Sequence, residues 1–298
     1  MKKTAQTIRS QSLTLMAPAK INLFLKILKR RSDAYHEIES LMQKVALFDI
    51  LHFSRQGEGV SLSCRSSKVP EDRENIVCRA ADAFFSTTGI TPGVHIVLEK
   101  NIPVAAGLGG GSSDAAAVLH GLNWLWAADL EPECLMDIGL HLGADVPFFL
   151  QDCSGAVATG IGECLQKAQP IRDYWILLVN PGFAVSTKWA YEKFPLTSYS
   201  NPYILARGQL MDGESHIISP GLFEILGNDL EAVTIRRYPE IENIKKELKK
   251  AGAVAALMSG SGPTVFGLFS GKEEAQHSFV QFVEEYGDNV FLVRPYIP

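Results

Sequence analysis

The sequence predicts an α+β fold divided into two domains. In the second half, short β-rich runs (WILLV at 175–179, VFGLF at 265–269, NVFLV at 289–293) alternate with helical stretches near 222–236, 239–251 and 272–286, the interleaving of an α+β sandwich. The length of 298 residues exceeds the ~100–200 residues of an ordinary domain. At 46% hydrophobic and 20% charged, the chain holds enough apolar material for folded cores. A turn-rich segment at 151–172 precedes the strand at Trp175, so the boundary is set near 167, with domains over 1–167 and 168–298.

From the N-terminus, Leu13 to Leu28 alternates as one or two strands interrupted at Pro18. Its parity puts Lys20, Asn22 and Phe24 on one face and Ile21, Leu23 and Leu25 on the other. Further β-rich runs lie at Ile50 to Phe53, Val60 to Cys64 and Val94 to Leu98, with a helix expected over Asn75 to Thr87. Apolar residues at Ala116, Leu119, Leu122 and Trp126 predict a helix, and another is expected around Glu133 to Leu142, stopped by Gly143. The stretch from about 192 to 221 reads as irregular.

Between a strand and a helix lies PVAAGLGGGSSDA, residues 103 to 115, with four glycines among five residues. Glycines let a backbone turn sharply and bring its N–H groups close to a polyphosphate, and the helix that follows adds the positive end of its dipole. Ser112 or Ser113 is the expected N-cap, with Asp114 in the first turn. A Walker A loop would end in Gly-Lys-Ser/Thr, yet no lysine lies between Lys100 and Lys167. A dinucleotide fingerprint begun at Gly107 meets Ser112 where its third glycine belongs. A ligand-free glycine turn is the remaining alternative to a phosphate cradle.

Composition excludes several classes. A formal net charge of −5 and no concentrated basic surface argue against nucleic-acid binding; Lys245, Lys246, Lys249 and Lys250 read as a solvated helix face. No apolar run is long enough for a membrane span, and the basic opening MKKTAQTIRSQS lacks the apolar core of a signal peptide. Five cysteines without a Cys-x-x-Cys pair fit reduced thiols, and the cytoplasm is the expected compartment.

Phosphoryl transfer to a hydroxyl needs a carboxylate to accept the proton and a cation to compensate the transferring charge. Lys20 and Asp145 are candidates for these two parts. Each also has a plainer reading: an exposed strand lysine, and the N-cap of a short helix with Pro147 in its first turn.

Three blocks, in order along the chain, resemble the GHMP family of small-molecule kinases, the group of galactokinase, homoserine, mevalonate and phosphomevalonate kinases. They are PAKINLFL at 18–25, PVAAGLGGGSSDAAA from 103, and MSGSGPTVFGLF at 258–269. The resemblance implies a two-domain fold, with a ribosomal protein S5 domain 2-like N-terminal domain that binds ATP and a ferredoxin-like α/β sandwich on the substrate side. It implies Lys20 and Asp145 as the catalytic pair. ATP would be held by Pro103, Val104, Ala105, Ala106, Gly107, Leu108, Gly109, Gly110, Gly111, Ser112 and Ser113, with Asn75 and Lys100 at the nucleoside. A Mg2+ would accompany the ATP, although the sequence shows no dedicated carboxylate cage.

Within the family, PAKINLFLKI followed by RSDAYHEI at 31–38, together with LGADVPFFL at 142–150, resembles the branch that phosphorylates 4-diphosphocytidyl-2-C-methyl-D-erythritol on its 2-hydroxyl in non-mevalonate isoprenoid synthesis. That implies a small-molecule partner with a cytidine diphosphate group, bound by Asn22, Tyr35, His36, Thr187 and Tyr191, and a monomer or weak homodimer. Tyr35 and Tyr191 would stack on the base while His36 reads its edge. The chain departs from the usual Asp-Gly-Tyr-His in having Ala34; if the glycine stands at positive φ, alanine there costs up to ~1–2 kcal/mol. Two other readings stay open: a homoserine- or mevalonate-phosphate-type kinase, in which Tyr35 and His36 would be idle, and a catalytically silent nucleotide or sugar sensor, which would be expected to lose Lys20 or Asp145.

Overall fold

A computed structural model describes residues 10–65, 69–169, 171–195 and 225–298. By its contacts the chain divides into two units, one of Met1–Pro18, Phe48–Ile102 and Gly110–Asp152, the other of Ala19–Leu47, Pro103–Gly109 and Cys153–Pro298. Strands β1 (Ser12–Arg30) and β2 (His36–Arg55) contribute to both.

In the first unit, β3 (Gly59–Arg65) and β4 (Gly93–Glu99) run parallel in register Val60 to Val94, and α1 (Ile76–Thr88) makes the crossover that parallel strands require. The end of β2 adds antiparallel to β4, Ile50 opposite Glu99 and Arg55 opposite Val94. Period-2 alternation turns Val94, Ile96 and Leu98 into the core. Against one another pack α1, α2 (Gly110–Leu125), α3 (Pro132–Leu142) and α4 (Val146–Leu150). The alanine run at 115–117 is buried in α2, where small side chains let neighbouring helices approach. Phe53, Phe84, Phe148 and Ile96 lie fully inside, each burial stabilising by ~1.5–3 kcal/mol.

Two local expectations are corrected. Pro18 does not interrupt β1: of its flanking strands, β2 lies on one side and β8 on the other, and β8 reaches only Phe24 and Leu25. At Pro18 that second side is an edge, where a missing N–H costs no ladder bond. Neither Ser112 nor Ser113 caps α2, because the helix already begins at Gly110. Gly109, at φ +70°, makes the turn, and a Cβ at Gly110 would come within 3.0 Å of Ile102 Cγ2, so close packing recruits a poor helix former. Asp114 thereby moves beyond the first turn.

In the second unit, β7 (Trp175–Val179), β9 (Ala255–Met258), β10 (Val265–Phe269) and β11 (Val290–Val293) form an antiparallel sheet ordered β11-β7-β10-β9. In order of appearance this is fourth, first, third, second, the strand order of a ferredoxin-like sandwich. Helices α7 (Glu240–Lys250) and α8 (Lys272–Tyr286) pack on it through Ile241, Ile244, Leu248, Ala275 and Phe282. Before them come α5 (Thr187–Lys193), β8 (Gly227–Asn228) and α6 (Glu231–Arg237).

The same unit holds a feature the sequence did not disclose, the hairpin of β5 (Gly155–Thr159) and β6 (Cys164–Ala168), which pairs with β2 at Ser40 to Gln43. Most of the stretch expected to be irregular, and residues 222–224 of an expected helix, fall outside the described residues.

Candidate active site

The glycine loop begins in the second unit, where its carbonyls are consumed by the protein. Ala105 O accepts from Val185 N, Ala106 O from Thr264 N, Gly107 O from Ser259 Oγ and Leu108 O from Lys20 N, at 2.9–3.3 Å. What the segment has left to offer a ligand is its N–H side. Ala105, Gly107 and Gly109 all stand at positive φ (52°, 77° and 70°) while Ala106 and Leu108 between them do not. Such alternation turns successive N–H groups toward one concavity, the backbone nest that binds anions.

Lys20 lies within β1, and its own N–H makes that strand's hydrogen bond to the Leu108 carbonyl of the loop. Its side chain is 4% exposed, so the reading of an exposed strand lysine does not survive. Lys20 Nζ donates to Asn22 Oδ1 at 2.5 Å, Asn22 Nδ2 donates to Ser40 Oγ at 2.8 Å, and Ser40 Oγ donates to the Phe24 carbonyl at 2.7 Å. A Cβ on Gly260 would lie 3.3 Å from the ammonium and 3.4 Å from Asn22 Oδ1, so the bare backbone of the 259–262 turn covers this contact. Parity on β1 brings Lys20 and Asn22 together as the sequence indicated. Nothing in local spacing pointed to Ser40 or Gly260, which sit 20 and 240 residues away.

That turn is itself fastened from three sides. Asn228 Nδ2 donates to the carbonyls of Met258 and Gly260 (2.8 and 2.7 Å), Asn180 Nδ2 to Thr264 Oγ1 (3.0 Å), and Thr234 Oγ1 to Ser261 O (3.3 Å). Thr187 Oγ1 meets Ser261 Oγ at 3.0 Å, which ties an expected substrate residue to the same turn.

The Tyr35-His36 segment lies in the hairpin between β1 and β2. His36 is buried and its ring stands 5.4 Å from that of Tyr191, tilted by 34°. Burial, with the Arg30 charge adding to it, holds the His36 pKa below its ordinary value, so the ring is neutral and keeps one donor and one acceptor nitrogen. Tyr35 is 60% exposed and is therefore no core filler. Ala34 between them and Asp33 stands at φ +70°, the left-handed conformation that favours glycine.

In the first unit, Lys100 is nearly buried and its ammonium is shared between Asp49 and Asp114, the latter at 2.9 Å. Asp49 also accepts from the N–H groups of Asn101 and Ile102, which pins the chain just ahead of the glycine loop. Burial would depress the Lys100 pKa, but the two carboxylates outweigh it and raise it; burial and the neighbouring Asp49 charge push Asp114 well above the carboxylate range despite Lys100. Asn75 caps α1, Oδ1 accepting from Val77 N at 3.0 Å and Nδ2 donating to Pro70 O at 2.7 Å. Ser113 Oγ and Asp114 Oδ1, both buried, have no hydrogen-bond partner among the described residues. Asp145 occupies the N-cap position of α4 with Pro147 early in that helix, as its plainer reading has it, although its carboxylate makes no capping bond. Among the described residues no cluster of three or more His, Cys, Asp or Glu side chains is disposed to hold a metal ion.

Residues 75–152 match the family model of the GHMP kinases N terminal domain, and 216–288 that of the GHMP kinases C terminal. A 4-diphosphocytidyl-2-C-methyl-D-erythritol kinase of Syntrophotalea carbinolica is 46% identical over 95% of this chain and 98% of its own length. The enzyme of that name from Geobacter metallireducens is 47% identical over 89% and 92%. A crystal structure of 4-(cytidine 5'-diphospho)-2C-methyl-D-erythritol kinase superposes with a TM-score of 0.80 at 33% identity, covering 95% of this chain and all of the other. Homoserine kinase from Cytophaga hutchinsonii shares the fold, with a TM-score of 0.71 at 20% identity over 98% of this chain and 97% of its own. The chain thus belongs to the GHMP kinase family.

Proposed function

We infer that this chain transfers the γ-phosphoryl group of ATP to the 2-hydroxyl of 4-diphosphocytidyl-2-C-methyl-D-erythritol, forming the 2-phosphate and ADP in non-mevalonate isoprenoid synthesis. The observation that carries the chemistry is the convergence, within one unit, of the buried Lys20 ammonium, the 105–109 nest and the 259–261 turn. Kinship with kinases of that name along nearly the whole chain carries the substrate.

In this reading the loop from Pro103 to Ser113 holds the triphosphate, and Asn75 and Lys100 serve the nucleoside. Asp145 orients the acceptor hydroxyl and receives its proton as the oxygen bonds to the γ-phosphorus and the bond to the β-phosphate oxygen breaks. Lys20 compensates the charge spreading over the transferring group. Loose phosphoryl transition states reward such positioning and electrostatics, so late proton acceptance suffices. Ser113 Oγ, a buried hydroxyl with an unused lone pair, fits a Mg2+ held mainly by phosphate oxygens, which would neutralise phosphate charge. Tyr35 and Tyr191 face the cytosine, and the neutral His36, with Asn22 and Thr187, completes the substrate side.

The division near residue 167, into an ATP-binding segment 1–167 and a substrate-side segment 168–298, belongs to this reading; the two family-model matches fall on either side of it. A monomer or weak homodimer in the cytoplasm fits an ATP-consuming enzyme whose five cysteines form no disulfide. No helix of the described residues is long and apolar enough to cross a membrane.

The test is ADP release with ATP and 4-diphosphocytidyl-2-C-methyl-D-erythritol, against homoserine and mevalonate phosphate as competing acceptors. Turnover is expected only with the cytidine compound, and Asp145→Asn should lower kcat by roughly 10²–10⁴-fold. No turnover with that acceptor would sink the substrate assignment. An undiminished Asp145→Asn enzyme would remove Asp145 from its role.

A further inference from the structure

Lys20, Asn22 and Ser40 form a buried line of polar groups whose directions are forced. Ser40 has one proton, and it is spent on the Phe24 carbonyl at 2.7 Å. Toward Asn22 the hydroxyl therefore presents only lone pairs, and it must accept from the Asn22 NH2, 2.8 Å away. The amide is then fixed with its carbonyl oxygen toward the Lys20 ammonium at 2.5 Å. A flipped amide would set NH2 against NH3+ and leave its oxygen facing the lone pairs of Ser40. Every donor in the line points from Lys20 to the Phe24 carbonyl, so each bond polarises the next. All three side chains are buried, Ser40 at 1% exposed, and the Gly260 backbone closes over the Lys20–Asn22 contact.

We propose that Ser40 is a positioning residue for phosphoryl transfer: through the Asn22 amide it sets where the Lys20 ammonium stands. The proposal rests on the reading of Lys20 as the catalytic cation. Ser40 lies on β2, opposite Ala158 of β5, and its hydroxyl reaches β1 twice, at the Phe24 carbonyl and at Asn22. Removing it leaves the Asn22 NH2 buried without an acceptor and the amide free to turn.

Turnover of purified full-length protein tests this with ATP and the cytidine acceptor. Ser40→Ala should lower kcat by on the order of 10–100-fold, the scale of a small misplacement of a catalytic group, with the KM for ATP within about twofold. Ser40→Thr, which retains the hydroxyl, should restore kcat to within about threefold of wild type; the near-isosteric Ser40→Cys, a weak hydrogen-bonding group, should fall between. In an Asn22→Ala background, Ser40→Ala should add less than about a twofold loss, because neighbours in one network are not additive.

A cysteine variant with wild-type turnover, or losses that multiply independently in the double variant, overturns the relay even if the alanine variant folds poorly. Lys20→Met separates the two layers. Wild-type turnover there refutes the catalytic reading of Lys20, whereas lost turnover alongside an unaffected Ser40→Ala refutes the relay alone.

Discussion

Gly107 sets its bare α-carbon against the carbonyl oxygen of Ser259: with the backbone at φ +77°, a Cβ at that position would collide with the oxygen and come within 3.1 Å of Gly262 N. The neighbours are backbone, so no side-chain rotation relieves the clash. Two glycine blocks more than 150 positions apart are thus fitted to each other.

Gly107→Ala is expected to destabilise the protein by ~2–5 kcal/mol, a strained left-handed residue of ~1–2 kcal/mol plus overpacking of ~1–3 kcal/mol. ADP release should fall at least tenfold at temperatures where the variant is still folded. Urea unfolding with an unchanged midpoint would show that the contact is not as close as described.

Ala34→Gly should act in the opposite direction. Ala34 occupies φ +70° in an exposed turn, where alanine costs ~1–2 kcal/mol in the folded state. Glycine gives back ~0.4–1 kcal/mol through the entropy of its unfolded chain. The net expectation is a gain of about 0.5–1 kcal/mol, read as a rise of roughly 1–4 °C in Tm by calorimetry. An unchanged or lowered Tm would count against strain at this turn.

Asp114 predicts a pH signature. Its carboxyl titrates higher in the folded chain than in the unfolded one, so the folded state binds more protons, and stability falls as pH rises from the ordinary carboxylate range through the raised value. Asp114→Asn removes that proton linkage and leaves Lys100 opposite Asp49 alone. Its stability relative to wild type should therefore increase between pH 5 and pH 8 in urea titrations. Parallel pH profiles would refute the shift. Lys100→Met, which strands the buried Asp49 carboxylate, should cost ~3–5 kcal/mol at neutral pH.

His36 carries the reverse sign. Its folded pKa lies below the ordinary value, so its contribution to stability is complete above the unfolded pKa of ~6.5 and is lost as pH falls through and below it. If its neutral ring reads the cytosine, KM for the cytidine acceptor should be flat from pH 8 to about 6.5 and rise only at lower pH. A rise centred well above pH 7 would exclude the neutral ring as the reader.

Much of the framework was legible along the chain. The helix expected at 272–286 is observed over those residues, WILLV and VFGLF are strands, and Lys20 and Asn22 share a face as strand parity requires. These follow from apolar runs and residue spacing, which depend only on near neighbours. The β5–β6 hairpin was missed because its pairing with β2 joins residues more than 110 positions apart. The start of α2 was misplaced because packing against Ile102, not capping preference, decides where it begins.

Residue types and short-range spacing were enough to specify strand faces, the glycine loop and the absence of a lysine within it. Which groups surround the Lys20 ammonium, why Gly107 admits no side chain, and how Lys100 comes to lie between two carboxylates were decided only in the folded chain. Hydrogen bonds, exclusion of a Cβ and charge burial depend on distances between residues remote in sequence, and those distances exist only once the sheets and helices have packed.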